Sequence, residues 1–371
     1  MKVDIITDRK GFDALSGEWN ALLRASPADT VFLTWEWVSA WLDAVCPDAH
    51  LLVIAVRDDD GRLAAVAPFY GSAMRLLGLS TYRCLRILGD VDSGAEYADV
   101  PVRPGCEEEA FYLIARALSD CRSRWDCIWL CNVAAWTRAA ERFERLFSHI
   151  PVFVTKWTRA FSTVMLPVTY DAYLGSLSSN ARSAIRRQRK RLMASGPVET
   201  VQCERQRELP EFLSSLFDLH HRRWAALGQE GCFTRQPRMV QFYQRFAPVA
   251  LERGWLRLFA LRSNGTTLAM QYGYVYNLAF FQLQEGFDPS GTPGVGNVLR
   301  DDVLRACMTE HLREYDFLGG DTEHKRRWGG NARFGVDLLI GRKSLKNAAV
   351  FGLGLSPTGR YLRPVGPLPR R

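Results

Sequence analysis

The chain has 371 residues, of which 47% are hydrophobic, 12% aromatic and 24% charged, with a formal net charge of +8. That length exceeds what one hydrophobic core ordinarily supports, so two domains of roughly 150 to 190 residues are expected, and the apolar share excludes a disordered polymer. No apolar run approaches the ~18 residues of a membrane span and the N-terminus MKVDIITDRKGFD is too polar for a signal segment, so no membrane span and a cytoplasmic location are expected.

The nine cysteines contain no C-x-x-C pair, and DCIWLCNV sets Cys127 and Cys131 in an apolar strand. Reduced, structural thiols follow from that pattern, with no metal site expected. The positive charge, with a pI near 9.1, asks for an anionic partner without saying which.

In chain order, TWEWVSAWLDAV leads into a predicted hairpin made of LLVIAVR, the turn DDDG and RLAAVAPFY. A long acidic stretch, GDVDSGAEYADVPVRPGC, precedes the amphipathic helix EEEAFYLIARALSD and the closing strand WDCIWLCNV. The second half repeats this order. FLSSLFDLHHRRWAAL stands before the strands GWLRLFALR and TTLAMQYGYVY, which are joined by the hairpin signal SNG, and a third strand LAFFQLQ follows Asn277. Then come the Gly-rich loop EGFDPSGTPGVGN, a helix carrying Val295, Leu299, Val303 and Ala306/Cys307 at helical spacing, and the strand EYDFLGG.

The repeat predicts two related α/β (α+β) domains, each a mixed, largely antiparallel sheet flanked by helices, over 1–155 and 156–345, with 346–371 as a basic, Pro-containing tail. Only the second copy has a compact Gly turn at the head of its helix. A helix N-terminus presents unsatisfied N–H groups and the positive end of the dipole, so Gly294, Val295, Gly296 and Asn297 are candidates to hold a pyrophosphate. The plainer reading of these glycines is helix capping.

EGFDP, TPGVGNVLRDDVLRA and YDFLGGDTEHKRRWG, with the upstream NARSAIRRQRKRL and LHHRRWAALGQEGCF, resemble the GNAT-fold acyltransferases, specifically the bacterial cellulose-biosynthesis-associated (CelD-type) group related to the Fem aminoacyltransferases. The likeness runs from about 178 to 330 and is fainter before 150. It implies tandem GNAT-like domains, the first of them degenerate, with acyl-CoA as donor in the second and an amine attacking the thioester. Pro293 before the glycines departs from the usual loop. The Fem relatives imply an alternative donor, aminoacyl-tRNA, and a non-catalytic scaffold is a further alternative.

Acyl transfer to an amine needs a proton acceptor, a donor for the tetrahedral oxyanion and a proton for the leaving thiolate. Glu285, after the third strand, and Asp316, inside the last strand, are the positional candidates for the base. Their plainer readings are a solvated acid and a paired buried acid. An apolar strand cannot hold Asp316 unpaired, and Lys325 is a candidate partner. The resemblance implies that this Lys touches substrate or developing negative charge. Gly319 and Gly320 are expected to turn the chain so that Asp321, Glu323 and Lys325 return over a cleft, or else the charges simply stay hydrated. His324 is read as a surface residue.

Arg182, Arg186, Arg189 and Lys190 share a helix face that either clamps an anion (a substrate phosphate, a polysaccharide carboxylate or the CoA 3′-phosphate) or is merely solvated. His220, Arg223 and Trp224 are placed beside an acceptor pocket, with Trp224 also readable as core, and Tyr97 and Asp99 are assigned to acceptor binding. The sequence thus predicts an N-acyltransferase acting on a small-molecule or saccharide amine; nucleic acid is not expected as partner, since no recognition motif accompanies the charge.

Overall fold

The computed structural model describes residues 1–76, 80–355, 357 and 362–367. The chain opens with β1 (Lys2–Ile6), α1 (Arg9–Asp13), α2 (Ser16–Ala25) and α3 (Trp35–Ala44), then runs through β2 (His50–Arg57), β3 (Leu63–Leu76) and β4 (Ser80–Ile87) to α4 (Glu107–Asp120), β5 (Cys127–Ala134) and α5 (Ala139–Ser148). Next come β6 (Val152–Met165), α6 (Tyr170–Ser176), α7 (Ser179–Met193), β7 (Val198–Gln202), α8 (Leu209–Ala225), α9 (Cys232–Arg235) and α10 (Pro237–Glu252). The rest comprises β8 (Leu256–Ser263), β9 (Thr266–Tyr276), β10 (Ala279–Phe287), α11 (Val295–Thr309), β11 (Glu314–Gly319), α12 (Glu323–Arg327), β12 (Asn331–Arg342), α13 (Leu345–Gly352) and β13 (Leu362–Pro367).

Two compact units result: Met1–Arg159 with Phe334–Arg371, and Ala160–Arg333. The stretch after 333, expected as the end of the second domain and a tail, groups with the first unit. The cause is pairing and burial. β12 runs antiparallel to β5 from Gly335 opposite Ala134 to Gly341 opposite Cys127, β13 pairs with β3, and Val350 of α13 is buried beside Met74, Tyr82 and Leu339. Residues 356, 358–361 and 368–371 of the expected tail lie outside the described ones.

In the first unit the strand order is β1-β2-β3-β4-β5-β12, and in the second it is β6-β11-β10-β9-β8-β7. Each unit contains one parallel pair, β4 with β5 and β10 with β11, among otherwise antiparallel described pairings. The sequence reading had no counterpart of β4 in the first half. In the second unit the hairpin signals act through backbone conformation. Asn264 and Gly265 have φ of 48° and 75°, and Asn277 and Leu278 have 48° and 60°, the left-handed pairs that two-residue hairpin turns require.

The apolar face of α11 packs Val295, Val298, Leu299, Val303, Leu304, Cys307 and Met308 against Phe259, Leu261, Ala269, Phe280, Tyr315 and Phe317. Each fully buried aliphatic side chain contributes about 1.5–3 kcal/mol, so this face fixes where the head of α11 stands relative to β10. β10 and β11 align only from Ala279 opposite Glu314 to Phe281 opposite Asp316, and then part. At the parting point β10 carries a bulge: the register jumps from Gln282 opposite Gly273 to Gln284 opposite Tyr272, leaving Leu283 as the extra residue.

Gly273 explains why this bulge is tolerated, since a Cβ there would lie 2.3 Å from the Phe281 carbonyl oxygen and 2.5 Å from Phe280 Cζ. The obstacle is partly backbone and cannot swing aside. Gly273→Ala is therefore expected to destabilise the protein by about 2 kcal/mol, the cost of overpacking a fixed site, read as a lowered midpoint in urea denaturation.

Candidate functional site

Beyond the parting of β10 and β11 lies a cleft of about 320 Å³, lined by the loop from Phe287 to Asn297 and by Arg223, Glu285, Arg300 and His324. Its floor is the head of α11. Gly294 occupies the N-cap position with φ of 94° and no side-chain cap, and the first turn carries no acid. The N–H groups of Asn297 and Val298 bond the Gly294 carbonyl, at 2.9 and 3.1 Å. A Cβ on Gly294 would meet Gln188 of α7 at 2.7 Å, so glycine is needed both for the backbone angle and for the close approach of α7. The four loop residues anticipated from sequence, Gly294, Val295, Gly296 and Asn297, all line this cleft.

One side of the cleft is a charge network. Arg223 of α8 donates to Glu285 Oε1 at 2.8 Å, Arg300 of α11 bonds Glu285 Oε2, and Gln282 Nε2 reaches the same oxygen at 3.2 Å. Arg300 is 2% exposed and its guanidinium lies 5.7 Å from the Phe317 ring centroid and 5.5 Å from that of Trp328. A second Arg300 nitrogen is 2.7 Å from His324 Nε2. A guanidinium only donates, so His324 Nε2 must be the acceptor and its Nδ1 carries the proton.

Burial alone would push the Glu285 carboxyl up, but the Arg300 and Arg223 charges outweigh it and hold the pKa at about 2. Partial burial and the Arg300 charge push His324 down to about 4, which leaves the ring neutral near pH 7 although the residue is exposed. Moving a proton from an ordinary ammonium, pKa about 10.4, onto such a carboxylate would cost about 11 kcal/mol. Glu285 is therefore a fixed counter-ion to two arginines. Asp288 is the second carboxylate of the lining, and it accepts from the Ser290 N–H and hydroxyl at 2.9 and 2.6 Å.

Asp316, 1% exposed, accepts from the Leu318 N–H at 2.8 Å and from Arg333 at 2.8 Å, and Arg333 also holds Glu314 at 3.0 Å. Lys325 donates to the carbonyls of Phe317, Leu318, Gly319 and Gly320, gathering the end of β11 like a cap. The turn bends at Leu318, φ 58°, and Gly320, φ 89°. α12 then starts at Thr322, whose hydroxyl caps the Lys325 N–H. It brings His324 to the cleft, whereas Asp321 pairs with Arg326 at 3.0 Å and Glu323 with Arg327, so neither joins the cleft lining.

Of the remaining sequence candidates, Arg182 donates to the Leu174 and Leu177 carbonyls at the end of α6, and Arg189 pairs with Asp301 at 2.7 Å and with Asp302, locking α7 onto α11. Arg186 is exposed. Trp224 donates its indole N–H to His220 Nε2 at 3.0 Å, under the Arg223 guanidinium at 5.6 Å. In the first unit Asp99 is 2% exposed and bonded by Arg142, and Tyr97, φ 63°, stands edge-on to Trp136 with ring centroids 5.2 Å apart.

Sequence reasoning missed Arg300 and Arg333; His324 is exposed, as expected, and its Nε2 also meets Arg300 at the cleft. Arg300 carried a signal: it follows Val298 and Leu299 on a helix whose apolar face is buried, and a buried cation demands a carboxylate. Among the described residues no cluster of His, Cys, Asp or Glu could hold a metal ion, and no helix is long and apolar enough to cross a membrane.

Residues 179–326 match the family model for the acetyltransferase (GNAT) domain. A crystal structure of FemX superposes on 94% of this chain and 99% of its own with a TM-score of 0.66 at 12% identity. A conserved protein of Bacteroides thetaiotaomicron covers 92% of this chain and 100% of its own at TM-score 0.55 and 14% identity, and L-PGS from Bacillus licheniformis covers 94% and 97% at 0.50 and 13%. No curated protein matches the sequence. The fold is that of the GNAT acyltransferases, and the matched domain contains the whole cleft.

Because the Glu285 pKa is lower in the folded chain than its ordinary 4.5, its contribution to stability is complete above about pH 4.5 and lost as pH falls through about 2. His324 and His220, both lowered to about 4, act earlier, between 6.5 and 4, because the unfolded chain takes up their protons first. Glu285→Gln should cost about 3 kcal/mol at neutral pH by leaving Arg300 buried without its counter-charge. Thermal midpoints measured below pH 4.5 should also fall less steeply for the variant than for the parent.

Proposed function

We propose that the protein is an acyl-CoA-dependent N-acyltransferase of the CelD type, transferring an acyl group to the amine of a small molecule or amino sugar. The observation that carries this reading is the cleft itself. Two parallel strands part beside an uncapped helix N-terminus whose loop offers backbone N–H groups, and Arg223 and His324 face the same space. That combination suits a pyrophosphate, with the rest of the donor running toward the gap between the strands.

In this reading the amine nitrogen attacks the thioester carbonyl, the C–N bond forms and the C–S bond breaks. The thiolate leaves and takes up a proton, and the nitrogen loses one. Nothing in the cleft is basic enough to deprotonate an ordinary ammonium first, so the amine reacts in its neutral form and sheds its proton after attack, when that nitrogen is far more acidic. Glu285, Asp316 and Lys325 then serve as positioning groups. Glu285 orients Arg223 and Arg300, Asp316 with Arg333 fixes β11, and Lys325 holds the turn that delivers His324. Arg223 and the loop touch the donor.

Calorimetry with acetyl-CoA and longer acyl-CoAs should show saturable binding, and thiol release should appear with a suitable amine. Gly294→Val should weaken acyl-CoA binding at least tenfold, a loss of about 1.4 kcal/mol, with the thermal midpoint recorded so that a folding defect is not read as lost affinity. Absence of acyl-CoA binding by the parent protein sinks this reading, and binding of aminoacyl-tRNA in its place would transfer it to the Fem-type donor.

A further inference from the structure

The charged helix α7 resolves into two sets of side chains. Arg182 and Arg189 are engaged by carbonyls and carboxylates of the same unit, whereas Arg186, Arg187, Lys190 and Arg191 are exposed and form no side-chain hydrogen bond or ion pair among the described residues. At about 100° per residue these four occupy one continuous arc opposite the buried Ile185 and Leu192. The arrangement is unfavourable on its own. Arg186 with Lys190 and Arg187 with Arg191 are like-charge i,i+4 pairs, and α7 contains no acid to offset them.

The arc also has a direction. Gln188, which a Gly294 Cβ would strike at 2.7 Å, lies on the flank of the helix next to Arg191 and Arg187. Among the exposed cations of α7, Arg191 and Arg187 are thus the nearest in angle to the side of the helix that approaches Gly294. The opposite flank of α7 faces Asp301 and Asp302, which Arg189 and Arg305 already engage.

We infer that the Arg187–Arg191 edge of α7 is the binding site for the 3′-phosphate of coenzyme A, a phosphomonoester dianion. The inference rests on the acyl-CoA reading above and adds a subsite to it. The geometry fits a ligand with two separate anionic groups: the pyrophosphate meets backbone N–H groups at the loop, and the second phosphate meets side-chain cations one step away. Arg suits this task because its forked donors engage phosphate oxygens two at a time. Arg186 and Lys190, further round the arc, add long-range attraction that salt screens.

The test compares coenzyme A with 3′-dephospho-coenzyme A by calorimetry at low and physiological salt, on the parent chain and on the double variant Arg187→Gln/Arg191→Gln. The parent should bind coenzyme A roughly tenfold more tightly than the dephospho form, and the double variant should bind both with the affinity the parent shows for the dephospho form. Removing a like-charge pair should leave the thermal midpoint unchanged or raised, so a loss of affinity is not confused with unfolding. Equal affinity of the parent for both ligands overturns the subsite and leaves the acyl-CoA reading standing. Discrimination that survives in the double variant overturns the assignment to these residues. Binding of neither ligand overturns both.

Discussion

The parting of two parallel strands is the constraint on which the second unit is built. Once β10 and β11 separate after Phe281 and Asp316, the facing backbone edges lose each other as partners, and the widening gap must be closed by something other than a ladder. Side chains close it in two tiers. Nearest the junction, Tyr315 donates to Gln282 at 2.9 Å and receives Gln271 from β9. Farther out, the guanidinium of Arg300 enters over Phe317 and Trp328 and ties Glu285 of β10 to His324 beyond β11. A hydrocarbon would fill the same volume but could not bond the Glu285 carboxylate and the His324 ring nitrogen.

The first unit repeats the topology and closes its gap differently. β4 and β5 are paired at Cys84 opposite Cys127 and Leu85 opposite Ile128. Arg86 then stacks over Trp129 with 4.3 Å between guanidinium and ring, pairs with Asp90 at 2.7 Å, and shares that acid with the Tyr70 hydroxyl. All three polar groups are spent on one another. At the head of α4, Glu107, Glu108 and Glu109 fill the first turn, so the dipole that attracts an anion at α11 is already answered by the chain's own carboxylates. Equivalent strands and helices thus carry opposite electrostatics, and the difference lies in a few side chains at equivalent ends.

What could be read from the sequence was what local chemistry determines. Asn264–Gly265 and Asn277 announced their turns because few residues accept positive φ, and α11 announced itself by apolar spacing that its tertiary contacts reuse. β4 escaped notice because STYRCLRI interrupts its apolar alternation with Arg83 and Arg86, whose partners are Asp126, far along the chain, and Asp90, just past the strand's end. The same limit applies to Asp316. Its need for a partner was evident, but Arg333 reaches it only through the fold. The closing strands were the least legible: β6, following the first unit's elements, pairs with β11, while β12, following the second's, pairs with β5. Nothing local in either strand states which sheet it will join.

The network also implies an order of response when an anion enters the cleft. The entering charge competes with Glu285 for the arginines, and the two differ in freedom: the Arg223 side chain is 24% exposed on α8, whereas that of Arg300 is 3% exposed and held by an acceptor on either side. Withdrawing Arg300 would leave the His324 ring nitrogen without its donor, at about 1–3 kcal/mol, and Glu285 with Arg223 as its charged partner. Releasing Arg223 leaves Glu285 still paired. Arg223 is therefore the group that can turn toward a ligand while Arg300 keeps the gap closed, and the cleft gains a mobile donor without loosening the strands that define it.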